Sequence, residues 1–108
     1  MPFLVFLTAD ATRDLEDLYQ YIALHDAPEK AEHVLTSIEK VCGSLSESPD
    51  RGVHPQELLA LGIRDYREIF FKPYRVIYQV RGNVVYVFLI ADGRRDMQTL
   101  LQRRLLDA

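Results

Sequence analysis

The chain has 108 residues, 48% of them hydrophobic, and a formal net charge of −3. That is material for one core, so a single domain over residues 1–108 is expected and a second is excluded. There is no run of about 18 apolar residues, no basic leader with a cleavage site in Met1 to Leu7, and only one cysteine, Cys42, so a soluble protein of the reducing cytoplasm with no membrane contact is expected.

The charge is uneven. Residues 1–50 carry 3 Lys+Arg against 10 Asp+Glu, a balance of −7, whereas residues 51–108 carry 10 against 6, a balance of +4. Such polarity fits one basic working surface for an acidic partner, or a merely solvated face.

The first seven residues are apolar β-formers and run into Thr8-Ala9-Asp10, where either polar side chain can cap a helix. Ala11, Leu15, Leu18 and Ile22 then recur at helical spacing up to about His25. Asp26-Ala27-Pro28-Glu29 offers a cap and a first-turn proline to a second helix. Its apolar face is Ala31, Leu35, Ile38, Cys42 and Leu45 with Val34 and Val41 alongside, and Ser48 to Gly52 stops it, so the two helices form an antiparallel hairpin. Residues 53–63 hold an apolar run too short for more than one turn of helix packed under the sheet, and are read as a loop.

Tyr66 to Phe71 and Tyr74 to Val80 read as antiparallel strands turning at Pro73, and Gly82-Asn83 as a tight link to a third. That third strand, Val84 to Ala91, is apolar throughout, which predicts cover on both faces and the centre of the sheet. Asp96 can cap a last helix bearing Met97, Leu100, Leu101 and Leu105. The fold class is α+β, in the order β-α-α-β-β-β-α. An antiparallel-rich sheet packs against an N-terminal helical hairpin, with a C-terminal helix, and helices gathered on one face leave the other open to a partner.

His25, His33, His54 and one cysteine do not make a paired-ligand metal signature, so neither metal nor cofactor is expected. His25 suits a helix C-terminus, and Cys42 reads as a buried thiol with a raised pKa. What remains is a set of arginines: Arg64, Arg67, Arg75 and Arg81 around the strands, with Arg94 and Arg95 after the central one. Alternation puts Tyr74, Val76, Tyr78 and Val80 on one face and Arg75, Ile77, Gln79 and Arg81 on the other. If Arg67 points with Arg75, a basic patch able to hold phosphates or carboxylates forms on the open face. The alternative is a structural ion pair of Arg75 with Asp65 or Glu68.

Tyr66-Arg67-Glu68 followed by Tyr74-Arg75-Val76-Ile77-Tyr78 resembles the paired-strand signature of the RelE/ParE toxin superfamily. Leu7-Thr8, Ala11, Asp14-Leu15 and Tyr21-Ile22 resemble its opening strand and first helix, and Leu45, Pro49 and Gly52 the end of its hairpin. Ile90 to Asp96 leading into Leu100-Leu101-Gln102-Arg103-Arg104-Leu105 is similar to the ParE branch. The ribonuclease branch of the superfamily cleaves messenger RNA on the ribosome. The resemblance puts its arginines at Arg75, Arg67 and Arg94 or Arg95, but no Tyr or His follows Arg95. Lacking an acid–base group costs such an enzyme on the order of 10²–10⁴ in rate, which favours the ParE branch.

The resemblance implies a toxin of a type II toxin–antitoxin pair, tied to plasmid maintenance or stress response, that poisons DNA gyrase without being an enzyme. A ParD-like antitoxin neutralises it and alone carries it to operator DNA. The antitoxin's acidic, disordered tail would order itself on the basic sheet face and on apolar grooves beside the helices, burying ~1,600 Å² or more. Binding of antitoxin or target is expected at Arg67, Arg75, Arg81, Arg94, Arg95, Arg103, Arg104 and Leu105, the last three because the C-terminal segment of ParE relatives is tied to activity on gyrase. Two alternatives stay open: a ribosome-dependent endoribonuclease using Arg67, Arg75, Arg94 and Arg95, and a non-toxic antitoxin-binding co-repressor.

Overall fold

A computed structural model describes residues 2–107; Met1, counted in the expected first strand, and Ala108 lie outside them. Strand β1 (Leu4–Leu7) passes through Thr8 into helix α1 (Ala9–His25). Thr8 stays extended and its hydroxyl oxygen accepts from the Ala11 amide at 3.1 Å, satisfying one of the donors a helix start leaves unpaired. Helix α2 (Pro28–Gly43) opens on the expected proline, with Ala27 at its cap. Asp26 does not cap it; its carboxylate pairs with Lys30 at 2.9 Å instead. The hairpin buries Ala11, Leu15 and Ile22 of α1 and Ala31, Val34, Ile38 and Cys42 of α2, and the 3-10 turn Ser44–Ser46 adds Leu45. Val34, not Leu35, lies at the centre of the α2 stripe, and Leu35 is half-buried.

Strands β2 (Arg67–Phe71), β3 (Tyr74–Arg81) and β4 (Val84–Asp92) form an antiparallel meander, and β1 pairs with β4 in parallel, giving the sheet order β1-β4-β3-β2. Gly82 turns β3 into β4 at φ +60°, a conformation in which a side chain is strained.

Both faces of the sheet carry a core. Ile69, Val76, Tyr78, Val85, Val87 and Ile90 pack under the hairpin. On the far face, Ile77, Leu89 and Ala91 pack against Leu58 from the one-turn helix α3 (Gln56–Leu59) and against Met97 and Leu101 of α4 (Met97–Leu101). This explains the unbroken apolar run of β4. A β-bulge reassigns its faces: Ile77 pairs with Leu89 and Tyr78 with Val87, leaving Phe88 as the extra residue.

The expectation that the helices gather on one face is therefore corrected. The apolar sides of α3 and α4 need cover, and the far face over Ile77, Leu89 and Ala91 supplies it. The open remainder of that face lies over β1, where Leu4 and Phe6 are 65% and 56% exposed. Asp96 caps α4 by accepting from the Thr99 amide at 3.2 Å, and the chain then widens into a π-helical turn, Gln102–Leu106. No helix among the described residues is long and apolar enough to cross a membrane.

Candidate functional site

Arg75 lies on the far face, as alternation predicts, but it is not free. Its Nε donates to Glu68 Oε1 at 2.6 Å, and its two terminal nitrogens donate to both oxygens of Glu57 at 2.9 and 2.8 Å. The fork geometry of a guanidinium suits this double engagement, and the Arg75 side chain is left only 12% exposed. The expected partner Glu68 is present. Asp65 is replaced by Glu57, which α3 carries beneath the sheet. Arg75 holds Glu57 below the ordinary carboxylate range, whereas burial outweighs Arg75 at Glu68 and pushes that carboxyl up. Gly93 fits closely here, since a Cβ would stand 2.7 Å from Arg75 Cδ.

Arg67 faces the other way. It pairs in register with Tyr78 on the hairpin side of the sheet, and its Nη1 donates to the Gly52 carbonyl at 2.8 Å. Arg67 and Arg75 therefore do not form one patch. Around Arg67 the buried Tyr78 hydroxyl donates to Pro49 O at 2.7 Å and accepts from Gly52 N at 3.0 Å, closing the loop after the hairpin onto the sheet.

Arg104 is also engaged. It grips Asp14 with two hydrogen bonds, at 2.8 and 3.0 Å, and donates to the carbonyl of the bulge residue Phe88 at 2.8 Å. Asp14 in turn accepts from the Ile90 amide at 3.0 Å, just beyond the point where β1 stops pairing with β4. One ion pair thus satisfies two backbone groups that a bulge and a short neighbouring strand leave without ladder partners. Leu105 is half-buried against the far-face core. Neither Asp14 nor Glu57 was foreseen as part of any site.

The remaining arginines are exposed. Arg81 lies over the Tyr86 ring, 5.8 Å from its centre, and Arg103 projects from the last turn. Arg94 is held by Asp92 at 2.6 Å, and Arg95 follows it with no ion pair among the described residues. These two line a cleft of about 490 Å³ between α1 and the C-terminal half of β4, together with Asp14 and Asp17. His25 stacks on Tyr21, with ring centres 4.4 Å apart, and His54 Nδ1 lies 3.0 Å from Tyr66 O. Burial pushes the Cys42 thiol up to about 11, so it packs as a small apolar group. No cluster of three or more metal-ligating side chains occurs among the described residues.

Residues 5–97 match the family model of the ParE toxin of the type II toxin–antitoxin system parDE. The chain belongs to the ParE toxin family. No curated protein matches the sequence. The fold of this ParE toxin recurs in the chromosomal ParDE system of Pseudomonas aeruginosa, at TM-score 0.70 and 20% identity, covering 83% of this chain and 95% of that one. It is similar to the RelBE2 toxin–antitoxin complex of Mycobacterium tuberculosis, at TM-score 0.62 and 22% identity over 85% and 92% of the two chains. A doubly arginine-substituted Escherichia coli RelE in the free state overlays at TM-score 0.62 and 19% identity, over 98% and 100%. The ParE match spans Arg67, Arg75, Arg81, Arg94 and Arg95 and ends before Arg103, Arg104 and Leu105.

Proposed function

We propose that this ParE toxin, with residues 1–108 acting as one domain in the cytoplasm, poisons DNA gyrase by stabilising its cleaved DNA complex and so blocks replication. A cognate ParD-like antitoxin neutralises it, and contact with operator DNA runs only through that antitoxin. The observation that favours this over messenger RNA cleavage is the state of Arg75. A guanidinium gripped by Glu57 and Glu68 and left only 12% exposed is screened from other anions, so a phosphodiester would have to displace Glu57 to reach it. The chain also places no Tyr or His after Arg95 to move a proton.

The groups left to meet a target are the exposed Arg81, Arg95 and Arg103, with Arg94 partly committed to Asp92 and Leu105 seated on the core. Arg67, Arg75 and Arg104 act by holding the scaffold that presents them. The test is a supercoiling assay with purified toxin and gyrase, scored for cleaved DNA, beside a ribosome-programmed messenger RNA cleavage reaction. Cleaved DNA with intact message is the expected result. Cut message with normal supercoiling would reverse the assignment, and inactivity in both would leave antitoxin-dependent repression as the role.

A further inference from the structure

We propose that β1 is a homodimer edge: two copies of this chain pair their β1 strands antiparallel about a two-fold axis at Phe6, joining their sheets into one. This assembly belongs to the toxin free of its antitoxin and does not depend on which target it acts on.

The backbone phase of β1 points to it. Leu4 N donates to Asn83 O at 3.1 Å and Thr8 N to Val87 O at 3.0 Å, so the even-numbered residues of β1 turn their backbone groups toward β4. Those groups alternate sides along a strand, and Val5 and Leu7 therefore turn theirs to the outer edge. β1 ends the sheet, and among the described residues no backbone group of another element bonds to Val5 or Leu7 on that side. Phe3 N donates to Ser46 O at 2.8 Å, which closes the edge at its N-terminal end.

Two outward residues separated by one inward residue make an edge complementary to itself. With Phe6 opposite Phe6 in antiparallel strands, Val5 exchanges both its hydrogen bonds with Leu7 of the second copy, and Leu7 with that copy's Val5. Every outward group of both residues is then satisfied. Phe6 forms the pair without hydrogen bonds, where opposing Cα atoms stand about 4.5 Å apart and side chains are closest. Side-chain alternation agrees with this: Val5 and Leu7 pack into the hairpin core, whereas Leu4 and Phe6 stand exposed on the far face. Phe6 meets Tyr86 edge-on at 5.9 Å, so the axis lines both rings up with their counterparts in one row across the joined sheets.

Chemistry favours a second copy over a charged partner. Leu4 to Leu7 carry no charge, and the opening beside them, of about 370 Å³, is lined by Leu4, Val5, Phe6, Val84 and Tyr86. An acidic peptide or a nucleic acid finds no cation in that lining, while another β1 brings apolar side chains to it. The charges, prolines and bulges by which proteins blunt a sheet edge are missing from β1. At the opposite edge such protection is present. Val53 and Glu68 exchange two hydrogen bonds there, at 3.1 and 2.7 Å, and β2 itself carries Arg67 and Glu68. One open edge per molecule closes a pair and adds no third copy.

Sedimentation of the purified full-length toxin without antitoxin tests this. Wild type is expected to be a dimer that dissociates on dilution, because few residues pair. Phe6→Glu and Phe6→Lys change an exposed side chain and should each give monomers with an unaltered thermal unfolding midpoint. Mixed in equal amounts they should form dimers again, because the axis sets the two opposite charges side by side. Val5→Pro removes an outward donor from each copy, spares the bonds to β4 and should weaken the dimer roughly tenfold. Phe70→Glu, exposed on β2, should leave it unchanged. A wild type that is monomeric at every concentration up to about 100 µM overturns the dimer, as does a dimer that survives both Phe6 variants. Monomeric Phe6 variants that stay monomeric on mixing overturn the two-fold axis at Phe6. Hydrogen exchange at Val5 and Leu7 that slows only when antitoxin is added gives the edge to that partner instead.

Discussion

Charge counted around a single side chain decides what Arg75 can do, and its two partners respond to acid in opposite senses. Glu57, held low chiefly by its hydrogen bonds to Arg75, contributes stability that is full above its ordinary value of 4.5 and is lost as pH falls through its lower folded value. Glu68, held high chiefly by burial, contributes stability that is full below 4.5 and is lost as pH rises through its higher folded value. Glu57→Gln should therefore cost about 1.5–3 kcal/mol near neutrality, the range for a hydrogen bond to a charged group. Glu68→Gln keeps an acceptor for Arg75 and removes a buried charge, so neutral stability should match or exceed wild type and rise more steeply from acid. Urea unfolding across roughly pH 4 to 7 separates the two. At the loop closure, Tyr78→Phe strands the Gly52 amide and Pro49 carbonyl and should cost about 1–3 kcal/mol by thermal unfolding. Gly52→Ala should cost more, because its Cβ would lie 2.8 Å from Glu68 O and 2.9 Å from Tyr78 Cε1. The side on which Arg75 lies is legible from alternation in the strand. Its partner Glu57 is not, because it comes from a four-residue helix too short to show a period.

Elements with a long, repeated pattern are the ones sequence reveals: α1, α2, the turn at Gly82 and the cap at Asp96 all follow from spacing and local chemistry. The path of the C-terminal turn does not, since it depends on Arg104 meeting Asp14 across 90 residues of sequence. The same limit hid the far-face core, because the Phe88 bulge that turns Leu89 and Ala91 toward α4 has no signature in an all-apolar run. Arg104→Ala should release this turn, speeding hydrogen exchange over residues 97–106 and lowering stability by about 1.5–3 kcal/mol. Arg103→Ala removes an exposed group, so exchange and stability should stay as in wild type, and on the gyrase reading proposed above the accumulation of cleaved DNA should fall. A loss of stability with Arg103→Ala would place that residue in the scaffold instead.

Over the whole molecule, the basic second half does not become a basic face. Glu57, Glu68, Asp14 and Asp92 absorb the charge of Arg75, Arg104 and Arg94, and Arg67 and Arg75 lie on opposite sides of the sheet. Concentrated patches steer acidic partners by roughly 10–10³ in association rate, whereas isolated guanidinium groups fall at the bottom of that range. Stopped-flow association with the antitoxin should therefore slow by less than about tenfold between low and high salt. A steeper fall would mean that the linear charge asymmetry is gathered on one surface after all.

The pairing of Leu4 with Val84 has a consequence for synthesis. A ribosome makes β1 before the other three strands of the sheet and its strand neighbour β4 after them, and the Asp14–Arg104 bond joins points 90 residues apart. Folding must wait for such distant contacts to close. A growing chain therefore has no finished sheet until β4 has been made. Protease digestion of stalled nascent chains should find them open until β4 has emerged and protected once it has paired with β1.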